Sequence, residues 1–128
     1  WVDALAAAMS AGLPLYQATH AVHSCFVLHR GRILCACEDI GRHNAMDKLI
    51  GQAWLDRVAV GDKALFITGR ISCEMALKAH RAGCPVLVSR KSATDEAARR
   101  AEELGVTLVS HCRDGRLRVL SCPDRIAG

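Results

Sequence analysis

The run Glu38-Asp39-Ile40-Gly41-Arg42-His43-Asn44-Ala45-Met46-Asp47-Lys48 constrains this chain more than any other. It sets acids, Arg, His, Asn and Lys around one glycine, directly after the apolar run Ile33-Leu34-Cys35-Ala36. So much polar chemistry cannot fill a core. It fits the point where a strand ends and a helix begins. There the helix presents backbone N–H groups without partners, and such a terminus favours anions. Arg42 and Lys48 add full positive charge, so the junction reads as a phosphate or nucleotide site. Gly41 permits the tight turn, Arg42 can fork onto phosphate or a guanine edge, and His43 and Asn44 can bond a base or ribose. The plain alternative is a capped helix start, with Asn44 as cap, Asp47 in the first turn and Lys48 solvated.

The remaining pattern alternates strand and helix. Trp1 to Ala11 has helical composition, with Gly12 and Pro14 as its stop. Ala21 to Leu28 and Ile33 to Cys37 form a hairpin about Arg30-Gly31. Helical spacing marks Asn44 to Arg57. Gly61-Asp62 turns into the strand Ala64 to Ile67, and the helix Ser72 to Ala82 ends before Gly83 and Pro85. Strand Val86 to Val88 precedes helix Thr94 to Leu104, capped by Thr94 and stopped at Gly105. Val106 to Ser110 and Leu117 to Leu120 make a second hairpin about Asp114-Gly115. The expected class is α/β: a three-layer α/β/α domain with a mixed central sheet, occupying all of residues 1–128.

A second junction follows Leu65-Phe66-Ile67. Thr68-Gly69-Arg70 leads to Ser72, which opens a helix carrying Glu74 and Lys78. Two such junctions at neighbouring sheet positions would face one crevice, where open α/β sheets bind ligands. Glu74 and Lys78, four apart, read equally as an ordinary helix ion pair. Ser89, Ser92 and Thr94 mark a third junction, with Thr94 by itself a plain N-cap.

Composition sets limits. The 128 residues suffice for one core, but with only five aromatic residues it must be built from Ala, Leu, Val and Ile. No apolar run approaches the ~20 residues of a membrane span. A net charge of +4 suits a small anion better than a long nucleic acid, which asks for a clustered basic face with stacking aromatics. Seven scattered cysteines form no disulfide scaffold and indicate a reducing, cytoplasmic setting with thiols mostly buried. Trp1 in place of Met reads as a piece of a longer protein. No metal is expected. The zinc deaminase pattern H-x-E with P-C-x-x-C is absent, and Cys35 and Cys37 share one strand face. Cys73, near Arg70 and a helix start, is better placed than Cys37 to carry sulfur, with a buried helix residue as the plainer and preferred reading.

These blocks also carry a resemblance. EDIGRHNAMDKLIG resembles the signature of the FdhD/NarQ family, the formate dehydrogenase accessory sulfurtransferases. Thr68 to Lys78 resembles its (S/T)GR-x-S-x-E-x3-K element, and Ala82-Gly83-Cys84-Pro85 with Ser89 and Ser92-Ala93-Thr94 its AG-x-P…S…SA-x-T stretch. Order and spacing agree from Thr19 to Ile126. The resemblance implies a cytidine-deaminase-like fold and the C-terminal, cofactor-binding domain of the family protein. It implies that the whole protein takes sulfur from a cysteine desulfurase and passes it to the molybdenum of bis-molybdopterin guanine dinucleotide, for insertion into formate dehydrogenase. It further implies a homodimer. Arg42, Lys48 and Arg70 would hold phosphate, and His43, Asn44, Asp47 and Ser72 base or ribose. Thr19, His23, Asp39, Gly41, Thr68, Gly69, Glu74, Lys78, Ser89, Ser92 and Thr94 complete the expected site. The family's C-x-x-C sulfur loop is not in this chain, and its T-G-G-x-H stretch reads Thr19-His20-Ala21-Val22-His23 here. The alternative is a zinc-dependent deaminase-type hydrolase acting on a base or nucleotide.

Overall fold

The computed structural model describes residues 13–126. In chain order these form α1 (Pro14–Thr19), β1 (His23–His29), β2 (Arg32–Asp39), α2 (Arg42–Leu55), β3 (Ala64–Ile67), α3 (Cys73–Arg81), β4 (Val86–Ser89), α4 (Asp95–Leu104), β5 (Thr107–Arg113) and β6 (Arg116–Val119), closed by a 3-10 turn at Pro123–Arg125. The helix expected over Trp1 to Ala11 lies outside the described residues. Six strands make one sheet in the order β2-β1-β3-β4-β5-β6. β1 runs antiparallel to β2 and β3, β3 to β5 run parallel, and β6 returns antiparallel. The class is α/β, as the alternation of elements implied, with a sheet made mixed by the two hairpins.

Pleating gives the sheet two apolar faces. Cys25, Val27, Leu65, Ile67, Leu87 and Leu108 point one way, and Met46, Leu49, Met75, Ala76, Ala97 and Ala101 of α2, α3 and α4 close over them. Alanine along these helices lets their backbones approach the sheet, which is how so few aromatics suffice. The other face carries Phe26, Leu28, Phe66, Val88 and Val109, with Leu13 and Ile126 packed against it. Full burial of each large aliphatic or Phe side chain contributes about 1.5–3 kcal/mol.

Boundaries differ from expectation where local hydrogen bonds decide them. Pro14 opens α1 instead of stopping a helix, since the first helical position needs no N–H. The next two N–H groups, of Leu15 and Tyr16, donate to the Glu38 carboxylate at 2.9 Å each. β2 runs past Cys37 because Glu38 and Asp39 still pair with Ser24 and His23. α2 starts at Arg42, two residues before Asn44, with Gly41 as an extended N-cap that offers no side chain. It stops at Leu55, and Arg57 beyond it has φ +57°. β5 continues to Arg113 through an irregularity where His111 takes φ +52°. Both hairpin turns stand as read: Arg30-Gly31 and Asp114-Gly115 each hold two positive φ angles, the type I′ signature. Thr94 caps α4, its Oγ1 accepting from the Ala97 N–H at 3.0 Å.

Candidate functional site

The pairing directions bring the C-terminal ends of β2, β3, β4 and β5 to one edge of the sheet, together with the start of β1. The first two junctions are therefore not neighbours. β1 stands between β2 and β3 and places His23 between them.

The junctions meet at Gly69. A Cβ there would lie 3.0 Å from His23 Nδ1 and 3.1 Å from Arg42 Cβ, so the missing side chain is what lets His23 of β1 and Arg42 of α2 close on the β3 loop. The loop is fastened from the other side. Ser89 is fully buried; its hydroxyl donates to the Gly69 carbonyl and accepts from the Lys91 N–H at 2.9 Å. Thr68 Oγ1 accepts from the Ser24 N–H at 3.0 Å. Ile71 forms a bridge with Ala93, donating to the Ser92 carbonyl at 3.1 Å and accepting from the Thr94 N–H at 3.2 Å. The second and third junctions are thus lashed by backbone, with Ser89 and Thr94 engaged in holding them.

At the first junction, Asp39 accepts from the Gly41 N–H at 3.0 Å. That bond, with Lys48 and Asn44 side chains nearby, holds its carboxyl below the ordinary aspartate range. The Lys48 ammonium donates to the Glu38 carbonyl at 2.6 Å and lies 3.4 Å from Asp39, so it closes the strand–helix corner. Thr19 is exposed at the end of α1, its hydroxyl donating to the Leu15 carbonyl and accepting from the Ala21 N–H. The ion pair considered within α3 is absent. Lys78 reaches α2 and pairs with Asp47 at 2.8 Å, while Glu74 lies 3.7 Å from His43 Nδ1. α2 and α3 are side by side in one layer, and the cross-helix partners are nearer than the i, i+4 one.

Three buried polar atoms among the described residues have no hydrogen-bond partner: Arg42 Nε, His43 Nδ1 and Ser72 Oγ. All three belong to the opening turns of α2 and α3, on either side of Gly69. A buried donor without a partner costs about 1–3 kcal/mol, so three at one place mark a site for a ligand that bonds them. Two helix N-termini share the spot, and Arg70, exposed and outside every ion pair described, adds charge.

Behind His23, a cavity of about 400 Å³ opens toward the other sheet face. Arg90, Lys91 and Arg113 line it with Tyr16 and Thr68. Burial lowers the His23 pKa below its ordinary 6.5, and the charges of Arg42 and Lys91 lower it further. The sequence reading passed over Arg90, Lys91 and Tyr16, and placed Arg113 only in an exposed turn. The signal was present: two adjacent cations between Ser89 and Ser92, at the end of a strand already marked as a junction.

Four of the seven thiols are buried. Cys25 faces Cys37 across the β1–β2 pairing, and burial with that neighbour pushes its pKa up to about 12. Burial likewise raises Cys35, Cys37, Cys84, Cys112 and Cys122. These six are protonated thiols at neutral pH, poorly disposed to carry sulfur. Among the described residues no three His, Cys, Asp or Glu side chains converge as a metal site, and no helix is long and apolar enough to cross a membrane.

The sequence pattern of the FdhD/NarQ family matches residues 1–127. The sulfur carrier protein FdhD of Halalkalibacterium halodurans is 40% identical over 112 residues, 88% of this chain and 42% of that protein. The Bacillus subtilis protein of the same name is 38% identical over 118 residues, 92% and 45% of the two chains. The chain thus spans less than half the length of these curated relatives. A crystal structure of a formate dehydrogenase accessory protein from Desulfotalea psychrophila superposes with a TM-score of 0.88 at 37% identity, covering 98% of this chain and 56% of that one. The dCMP deaminase of cyanophage S-TIM5 shares the fold, with a TM-score of 0.56 at 17% identity over 69% of this chain and 79% of its own.

Proposed function

The chain belongs to the FdhD/NarQ family of sulfur carrier, formate dehydrogenase accessory proteins, and from that premise we propose that its junction site binds the guanine nucleotide end of the molybdopterin guanine dinucleotide cofactor. The cofactor is the cargo. The whole protein receives sulfur from a cysteine desulfurase and delivers it to the cofactor's molybdenum for a formate dehydrogenase, working as a homodimer in the cytoplasm. This domain holds and orients the nucleotide while the sulfur step belongs to the longer protein, in keeping with the raised thiols here.

The observation that carries the reading is the set of three unpartnered atoms at the starts of α2 and α3. Arg42 and Arg70 take phosphate, assisted by the free N–H groups of both helix ends. His43 and Ser72 bond base or ribose, with Asn44 and Glu74 beside them. A guanine edge offers donors that match a carboxylate, and acceptors that match an imidazole or hydroxyl donor. Three charge-assisted contacts near the upper end of about 1.5–3 kcal/mol each reach the ~8 kcal/mol of micromolar binding. The likeness to dCMP deaminase, at 17% identity, is one of fold, and it carries no deaminase chemistry to this chain.

Calorimetric titration of GDP, with GMP and ADP as comparators, tests the proposal. Expected are micromolar GDP binding, weaker ADP binding, and about tenfold losses in Arg42→Ala and Ser72→Ala. Equal GDP affinity in the parent and both variants would sink it.

A further inference from the structure

We propose that the cavity behind His23 is a second anion site, built for a diphosphate group and lying on the opposite sheet face from the unpartnered atoms of α2 and α3. Strand alternation fixes the face. Phe26, Thr68 and Arg90 follow the parity of Phe66 and Val88, away from the three long helices. Arg90, Lys91 and Arg113 converge from the β4 end and the β5 end, and all three are exposed. None is in an ion pair among the described residues, and no acidic side chain lines the cavity. The Thr68 hydroxyl accepts from Ser24 and keeps its own proton to donate. Three guanidinium or ammonium groups held around one concavity without an acid to balance them repel one another. A compact polyanion relieves that repulsion and satisfies their donors together.

The cavity at the other end of the sheet shows the contrast. It is larger, about 550 Å³, but an acid, Asp62, lines it, and two of its three Lys and Arg side chains, all but Arg30, are engaged. Lys63 pairs with Asp62, and Arg125 donates to the Gly105 carbonyl and to Thr107 Oγ1. The absence of any acid from its lining, not volume, sets the cavity behind His23 apart from this one. The backbone fixes two of its cations relative to each other: the His111 N–H donates to the Lys91 carbonyl at 3.0 Å, two residues before Arg113. The proposal does not depend on the nucleotide reading. The diphosphate is either that of a nucleotide whose base and ribose sit across His23, in which case these cations and not Arg42 and Arg70 hold its phosphates, or a separate ligand.

The test is calorimetric titration of inorganic pyrophosphate into the full 128-residue chain at low ionic strength. Micromolar binding is expected, about tenfold weaker in Lys91→Ala or Arg113→Ala and about a hundredfold weaker in the double variant. Arg81→Ala/Arg99→Ala removes the same charge from exposed helix positions and should bind within about twofold of the parent. Lys91→Arg/Arg113→Lys, which keeps both charges, should bind near the parent and guards against a folding artefact. The proposal is overturned if the parent does not bind pyrophosphate, if Lys91→Ala/Arg113→Ala binds it unchanged, or if the control pair loses as much. Competition by GDP but not guanosine supports the site as the nucleotide's own diphosphate pocket, and simultaneous binding supports it as a separate one. Pyrophosphate binding retained while GDP binds no better than pyrophosphate would remove the nucleotide reading and leave this one standing.

Discussion

A methyl group at position 69 is the smallest change that tests how the junctions are held. In Gly69→Ala the new carbon meets His23 Nδ1 and Arg42 Cβ at about 3 Å, and both side chains must move. The predicted outcome is about 1 kcal/mol of lost stability by denaturant titration, with GDP affinity falling at least tenfold by calorimetry. His23 provides a pH test. Its pKa is depressed in the folded state, so between that value and 6.5 the unfolded chain binds more protons. Stability therefore falls as pH drops below about 6.5, and His23→Gln should flatten that part of the profile. Cys25 gives the opposite limb. With its pKa raised to about 12, its contribution is complete below the ordinary thiol value of 9 and lost as pH climbs toward 12. Alkylation of Cys25 at pH 8 should be negligible in the native chain and rapid in urea. At this scale the sequence already held Arg42, His43 and Ser72, because Gly-Arg and a helix-opening serine at strand ends are chemical signals. It could not show that the Lys48 ammonium and the Ser89 hydroxyl are engaged by backbone carbonyls, since those partners lie 10 and 20 residues away.

Among the elements, α3 has most to say about energetics. Its core is Met75, Ala76 and Ala79, and Met75 is wholly buried against the sheet. Met75→Ala should cost about 2–5 kcal/mol, read by thermal or urea unfolding. Lys78→Ala removes the half-exposed pair with Asp47 and should cost less than about 1 kcal/mol. If the two losses came out equal, the α2–α3 contact would depend on the ion pair more than its exposure allows. Helices and hairpins were legible because their signals are local: Thr94 before an amphipathic run, Gly105 after it, Arg30-Gly31 and Asp114-Gly115 between alternating strands. The misread starts of α1 and α2 share one cause. Neither is set by a capping side chain of its own: α1 takes its cap from Glu38, in β2, and α2 begins at a bare glycine.

For the whole molecule, the decisive fact is strand order. With β1 inserted between β2 and β3, one end of the sheet brings together Arg42, His23 and Gly69, with Lys91 on the far side of His23. The alternation of strand and helix predicted a central sheet, and the hairpins at each end predicted that it is mixed. It could not order the strands, because β1 reaches β3 only across some forty residues of chain, and no local pattern records that pairing. The cavity behind His23 was hidden for the same reason: its lining comes from α1, β1, the segments after β3 and β4, and the end of β5. The charge of the chain gave a hint, since +4 is a modest excess until Arg90, Lys91 and Arg113 are found unbalanced in one place.

Localising GDP on the folded chain is the sharpest check that the starts of α2 and α3 hold the nucleotide. Amide chemical shifts of the isotopically labelled protein, followed through a GDP titration, would report every contact at once. Saturable changes are expected at Gly41 to Asn44, Gly69 to Cys73 and His23, with the turn at Arg30-Gly31 and the Asp62-Lys63 end of the sheet unmoved. Changes confined to that opposite end, or none at all, would contradict it.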